Sequence, residues 1–251
     1  KPMDPRHPDY VPDMPFSTAI HDYYCHVDQR VGQLLAQCDD DTAVLVVSDH
    51  GAQPLMGGIC INEWLMEKGY LTLKEKPTEP TALDKVEVDW EKTKVWGAGG
   101  YYARIFLNIQ GREPQGTIPL KEFKAFREQL ITELEAITYP DGSPMEGKAY
   151  VPQETYQKVR GMAPDLLVYF DWVAWRSVGS VVTGELYAKG NDTGPDDANH
   201  AQYGLMIFHD PQEPKGGQVL ENAQQYDITP PMLNRYSVDG PRDMRGKVLS
   251  I

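Results

Sequence analysis

The sequence predicts an α/β fold with a central, mostly parallel sheet sandwiched by helices and carrying an inserted α+β cap. Two observations point to the sheet. Thr42-Ala-Val-Leu-Val-Val-Ser48 is an unbroken apolar, β-branched run without alternation, the pattern of a strand covered on both faces. An amphipathic helical stretch leads directly into it, and helices alternating with strands build layered α/β domains. A third observation, the polar stretch 74–94 and the mixed segments after it, points to the cap. The expected division is therefore a core made of 1–73 and 191–251, with 74–190 inserted.

The elements follow in order. Pro2, Pro5, Pro8, Pro12 and Pro15 make residues 1–16 an extended lead-in. Ser17 or Thr18 caps a helix running to about Cys38, with Ile20, Tyr23, Tyr24, Val27, Val31, Leu34 and Leu35 on one face at helical period. After the strand at 42–48, Ile61 to Lys68 reads as a short helix closed by Gly69, and Tyr70 to Leu73 as a strand. Tyr102 to Ile109 is a strand, and Leu120 to Ile137 a helix burying Leu120, Phe123, Leu130, Ile131 and Leu134. Asp165 to Phe170 and Leu205 to Phe208 are further strands. Asp227 opens a last helix, with Pro230 tolerated in its first turn.

Composition narrows the function classes. With 251 residues, 41% hydrophobic, the chain can bury a sizeable core and is not disordered. No run approaches the ~18 apolar residues of a membrane helix, so no membrane partner is expected. The net charge of -13 argues against duplex nucleic acid, whose binding rests on Lys and Arg neutralising phosphates. Metal ions can still reverse that field locally for a small anionic substrate. Cys25, Cys38 and Cys60 are an odd number without metal spacing, which predicts small buried hydrophobes in a reducing, cytoplasmic setting. The opening Lys1-Pro2-Met3-Asp4-Pro5 has neither an initiator Met nor a signal sequence, so the chain is expected to be a piece of a longer protein.

Chemistry concentrates at two places. Ser48-Asp49-His50-Gly51 ends the apolar strand, where open α/β sheets gather functional groups. Asp49 and His50 offer an oxygen and a nitrogen donor, a set that suits Zn or Mn better than Ca or Mg. The competing reading is a turn-capping Asp beside an incidental His. His200 closes the polar loop Thr193-Gly-Pro-Asp-Asp-Ala-Asn-His200 ahead of the strand at 205–208, and its plain alternative is a surface histidine.

Together these pieces resemble the alkaline phosphatase superfamily, in its branch of type I phosphodiesterase/nucleotide pyrophosphatase-like phosphohydrolases. The similarity also runs through Asp22 to Gly32, Gly57-Gly-Ile-Cys-Ile-Asn-Glu-Trp-Leu65, Asp227-Ile-Thr-Pro230 and Met244-Arg-Gly246. It implies an alkaline phosphatase-like core with two divalent metal ions, Asp49 and His50 on the one that activates the nucleophile and His200 on the other. Such a pair clamps the attacking and leaving oxygens of an in-line displacement. The implied nucleophile is a Ser or Thr that forms a phospho-enzyme. It is not found in this chain and is expected upstream, with the early Asp and an Asp-x-x-x-His-type pair.

The resemblance thus implies a small phosphoester substrate, or, in a mutase of the same superfamily, the return of the phosphoryl group to it. A chain complete as it stands would instead be a non-catalytic binding domain. Asp22 with His26, and Asp4 with His7, have ligand-like spacings but read as an exposed helical pair and a structural loop. Trp96-Gly-Ala-Gly-Gly-Tyr101 lacks the lysine and helix of a phosphate loop. It reads as a bend before a strand, with lining of the substrate pocket as the alternative. Arg104 reads as a salt-bridge partner and His209 as structural.

Overall fold

A computed structural model describes residues 4–189, 197–214 and 216–249. In chain order its elements begin with α1 (Ala19–Leu35), β1 (Val44–Val47), β2 (Gly51–Pro54), β3 (Gly57–Cys60) and α2 (Ile61–Glu67). There follow β4 (Thr81–Ala82), β5 (Val95–Ala98), β6 (Ala103–Leu107), α3 (Phe123–Glu135), β7 (Gly147–Tyr150), α4 (Pro152–Thr155) and β8 (Leu166–Phe170). The last are β9 (Trp175–Val178), β10 (Ser180–Val181), β11 (Tyr187–Ala188), β12 (Ala198–Ala201), β13 (Met206–His209) and α5 (Thr229–Arg235). They fall into two compact units, Lys1–Pro12 with Ala52–Gln202, and Asp13–Gly51 with Tyr203–Ile251.

The first unit is built on a seven-stranded sheet in the order β11-β3-β9-β8-β6-β5, with β7 also on β8. Alternation along β6 explains its seat: Ala103, Ile105 and Leu107 are buried, while Arg104 is exposed. Ile59, Ile105, Leu107, Val168 and Phe170 form the core with Leu65 of α2. From α3 come Leu130 and Leu134, an i, i+4 pair on one helix face. Asn62 is buried without cost to its amide, which donates to Gly97 O and Gly179 O and accepts from the Gly97 N–H. Below the sheet edge, Asp165 takes both guanidinium nitrogens of Arg112 at 2.6 and 2.7 Å and the Leu107 N–H at 2.7 Å.

The sheet is mixed, which corrects the expected mostly parallel arrangement. Among its described pairings only β3 with β9 is parallel. The connections dictate this. Parallel neighbours need a crossover of a dozen or more residues, whereas four residues join β5 to β6 and four join β8 to β9. The fold is α/β with a multi-strand sheet and few helices. Tyr70 to Leu73, expected as a strand, contributes only an isolated bridge from Leu73 to Val88.

In the second unit β1 pairs antiparallel with β13, from Val44 opposite His209 to Val47 opposite Met206. Neither element is sealed in a core, which corrects the reading of 42–48 as a strand covered on both faces: Val47 is 45% exposed. Nor does α1 bury any residue, although its apolar stripe is there as expected. Cys25 and Cys38 are exposed, and only Cys60 is the buried hydrophobe expected of all three. At the far end Asp227 is buried and accepts the Gln224 and Lys247 N–H groups, while Gly246 packs against Tyr226 O with no room for a Cβ. Asp210, at the end of β13, forms an ion pair with Arg235 of α5. No described helix is long and apolar enough to cross a membrane.

Candidate functional site

Asp49 and His50 stand at the end of β1, and the preceding residue fixes the exit. The Ser48 N–H donates to Leu205 O at 2.9 Å, and Ser48 Oγ accepts the Leu205 N–H at 2.7 Å. The side chain thus replaces one rung of the ladder and ends the pairing where the two candidates emerge. Both are accessible, with side chains 75% and 42% exposed.

The His50 ring is oriented by the carbonyl of the next residue. Nδ1 lies 2.8 Å from Gly51 O, and because a carbonyl only accepts, Nδ1 is the donor; in the neutral ring the lone pair is then on Nε2. That Nε2 lies 3.6 Å from Asp49 Oδ2. Two donor atoms at this separation can both reach one ion at the ~2.0–2.2 Å that zinc makes to nitrogen and carboxylate oxygen. A histidine tied through its other nitrogen to a carbonyl is also the usual outer arrangement of a metal ligand. The pair fits one metal ion. Among the described residues no group of three or more His, Cys, Asp or Glu converges, so the pair by itself offers two donors.

His200 belongs to the other compact unit and is described there. It sits half-buried in β12, which pairs with β2, and its backbone is bolted on both sides. The His200 N–H donates to Asn199 Oδ1 at 2.9 Å, and His200 O accepts from Gln53 Nε2 at 2.8 Å. The same Gln53 amide donates to Trp172 O at 2.8 Å, and Asn199 Nδ2 donates to Val173 O at 2.5 Å. The ring of His200 meets the ring of Tyr101.

Trp172 and Val173 belong to a left-handed turn between β8 and β9: φ is 48° at Asp171, 50° at Trp172 and 64° at Val173. Such values are unfavourable for Trp and for β-branched Val. The turn persists because its polar groups are taken up. Besides the two carbonyls, Trp172 Nε1 donates to Glu146 Oε2 at 2.6 Å and Asp171 N–H to Glu146 O at 2.8 Å. Burial, with a hydrogen bond to Asp171, pushes the neighbouring Tyr139 hydroxyl up to about 12.

The other expectations resolve locally. Asp22 accepts from Thr18 Oγ1 and His26 from Arg30 Nε on the exposed α1, as an exposed helical pair should. Asp4 pairs with Arg6, whose hydrogen bonds bring its carboxyl down to about 2. His7 is buried, with Nδ1 accepting the Asp9 N–H and Nε2 donating to Leu55 O, so both nitrogens serve the loop. The Gly-rich segment bends as expected: Gly99 abuts the Gly179 backbone with no space for a Cβ, and the turn ends on Tyr101. Arg104, expected in a salt bridge, instead donates to Gly99 O at 3.0 Å. The motif residues Thr193 to Asp196 lie outside the described residues. Sequence reasoning missed Gln53, Asn199 as a partner of His200, and the Asp171–Val173 turn, which has no glycine to announce it.

A family profile described as type I phosphodiesterase/nucleotide pyrophosphatase matches residues 4–196. The chain belongs to that family. The match contains Asp49 and His50 and stops four residues short of His200. No curated protein and no solved structure matches the chain. Membership makes this a phosphoester hydrolase of the phosphodiesterase/pyrophosphatase type, within a family that is generally metal-dependent.

Proposed function

We propose that this chain carries part of a two-metal centre that hydrolyses a small phosphoester through a Ser or Thr phospho-enzyme, the nucleophile lying on a part of the protein outside this chain. Asp49 and His50 hold one ion and His200 the other, Zn or Mn in each case, and the segment 74–190 forms a cap that shapes access to them. When bound, the ions stabilise the attacking and leaving oxygens of an in-line displacement.

The observation that carries the reading is the His50 ring. Its Nδ1 is committed to Gly51 O, and Nε2 is turned to the Asp49 carboxylate in a chain of this family. The exposed apolar stripe of α1, with Ile20 57%, Tyr23 67% and Leu34 69% exposed, supports a further part of the polypeptide that covers it. An odd number of cysteines without metal spacing fits a reducing, cytoplasmic setting.

Hydrolysis of bis(p-nitrophenyl) phosphate by the product of the complete coding region, supplied with Zn or Mn, tests the proposal. The expected result is turnover that Asp49→Ala and His50→Ala each reduce by ~10²–10³-fold, the range seen when a transition-state charge stabiliser is removed. Turnover unaffected by either substitution overturns the assignment.

A further inference from the structure

We propose that Gly204 is the pivot and Ser48 the latch of the bend that carries Asp49, which makes both of them positioning residues for the Asp49–His50 pair. The proposal rests on the reading of that pair as ligands of one ion for its consequence. Its geometry lies wholly within the second unit.

The rung that closes the β1–β13 ladder is irregular. In an antiparallel pair, facing residues of a hydrogen-bonded rung exchange both of their backbone bonds. The register that sets Val47 opposite Met206 sets Ser48 opposite Leu205. The Ser48 N–H keeps its half of the exchange, to Leu205 O at 2.9 Å, but the Leu205 N–H goes to Ser48 Oγ at 2.7 Å. The Ser48 carbonyl is thereby released from the rung, and the peptide that leads to Asp49 is no longer held in the ladder. Asp49 is where the chain bends.

Space for the bend is made at Gly204. A Cβ on this residue would stand 2.7 Å from Ser48 Oγ, 2.9 Å from Ser48 O and 3.4 Å from His50 N. Non-bonded contacts of carbon settle at about 3.5–4.0 Å, so the first two leave no room for a side chain. Ser48 Oγ could rotate away only by giving up Leu205, and Ser48 O belongs to the backbone. Gly204 is not among the positive-φ glycines, so the position needs a bare Cα rather than backbone freedom. Both ends of the tripeptide 48–50 thus close on one point. Asp49 stands between them with its side chain 75% exposed, and its Oδ2 comes within 3.6 Å of His50 Nε2. The two donors converge because the chain bends, and it bends because of Ser48 and Gly204.

Hydrogen-bond scalar couplings in the ¹⁵N,¹³C-labelled chain, recorded without metal, tell the two kinds of rung apart. In the wild-type chain Ser48 N should couple to Leu205 C′, while Leu205 N shows no coupling to Ser48 C′. In Ser48→Ala the second coupling should appear, because the Leu205 N–H is left with the ordinary backbone acceptor. The N–H residual dipolar couplings of Asp49 and His50 should then change relative to those of Val44 to Val47. Ser48→Thr keeps the hydroxyl and should behave as wild type. Mn²⁺ alone, followed by broadening at 48–51, reads the consequence. Ser48→Ala and Gly204→Ala should each need ~10–100-fold more ion, the range for losing an outer partner of a metal ligand, and Ser48→Thr should not. A Leu205 N to Ser48 C′ coupling already present in the wild-type chain overturns the proposal, whether or not Gly204→Ala folds. So do Ala variants with a lowered urea midpoint and an unchanged Mn²⁺ requirement, the result of a role in stability alone. Absence of broadening at 48–51 in the wild-type chain removes the metal reading only, and the couplings then uphold or overturn the bend by themselves.

Discussion

The ring of Tyr101 lies 4.1 Å from the imidazole of His200, centroid to centroid, at an interplanar angle of 61°. The bend at Gly99 and Gly100 places it there: antiparallel bonds between Gly100 and Ser177 hold the loop, and Tyr101 follows directly. A residue 57% exposed thus covers one side of the candidate ligand. The ring current of Tyr101 should displace the His200 ring protons. Tyr101→Leu should remove that displacement while costing only about 1 kcal/mol, the scale of one aromatic pair. Unchanged His200 ring shifts in the variant would show that the two rings do not meet in solution.

Asp165 is expected to be the most sensitive charged position in its unit. It is 4% exposed, holds Arg112 bidentately and caps the Leu107 N–H. Asp165→Ala strips the guanidinium of its bidentate partner and leaves a buried N–H without its acceptor, a loss of about 3 kcal/mol. Urea denaturation measures it, and a loss below about 1 kcal/mol would mean that the pair is solvated.

Two helices should respond differently to the same kind of truncation. Leu134 of α3 is fully buried, so Leu134→Ala should cost about 2–5 kcal/mol. Ile20 of α1 is 57% exposed, and Ile20→Ala should stay within about 0.5 kcal/mol in this chain. A large loss at Ile20 would show that α1 is packed in solution against a surface it does not touch here.

The segment after α5 should loosen in acid. The Lys247 N–H bond, partly opposed by burial and helped by the Gln224 N–H, holds the Asp227 carboxyl below the ordinary carboxylate range. A depressed value favours the folded state above the ordinary range, and that contribution is lost as pH falls through it. The protection factor of the Lys247 amide should therefore fall on acidification and be low at every pH in Asp227→Ala. Protection of Lys247 that ignores both changes contradicts the bond.

At the other end of the scale, burial and Glu133 push Tyr70 up to about 12, and burial and Asp171 do the same to Tyr139. Raised values stabilise the folded state below the ordinary 10.0 of a free tyrosine, and that contribution fades between there and about 12. Ultraviolet titration should show Tyr70→Phe and Tyr139→Phe each removing a late-ionising hydroxyl. Loss of an ordinary one would contradict the burial.

The local patterns were legible wherever one segment decides its own structure. The 3.6-residue period gave α3 and its buried Leu130 and Leu134, and the short apolar runs located β6, β8 and β13. Sheet direction was not legible, because an apolar run looks alike in parallel and antiparallel sheets. The decisive information lay in the four-residue connections at 99–102 and 171–174. Asp49 and His50 could be singled out because donor types sit adjacent at a strand end. Gln53 and Asn199 could not, because each amide acquires its role only when distant carbonyls arrive beside it, Trp172 O and His200 O for Gln53 and Val173 O for Asn199. Asp227 and Gly246 lie between these cases: each stood in a recognisable segment, but only folding shows that one clasp joins them.

Paramagnetic broadening by Mn²⁺ in the ¹⁵N–¹H spectrum tests the central claim most directly, because it locates a bound ion without requiring activity. Broadening should begin at residues 48–51 as the ion is added, and should vanish from them in Asp49→Ala. Broadening centred instead on His21, Asp22 and His26 of α1, or spread evenly over the acidic surface, would contradict the assignment of Asp49 and His50.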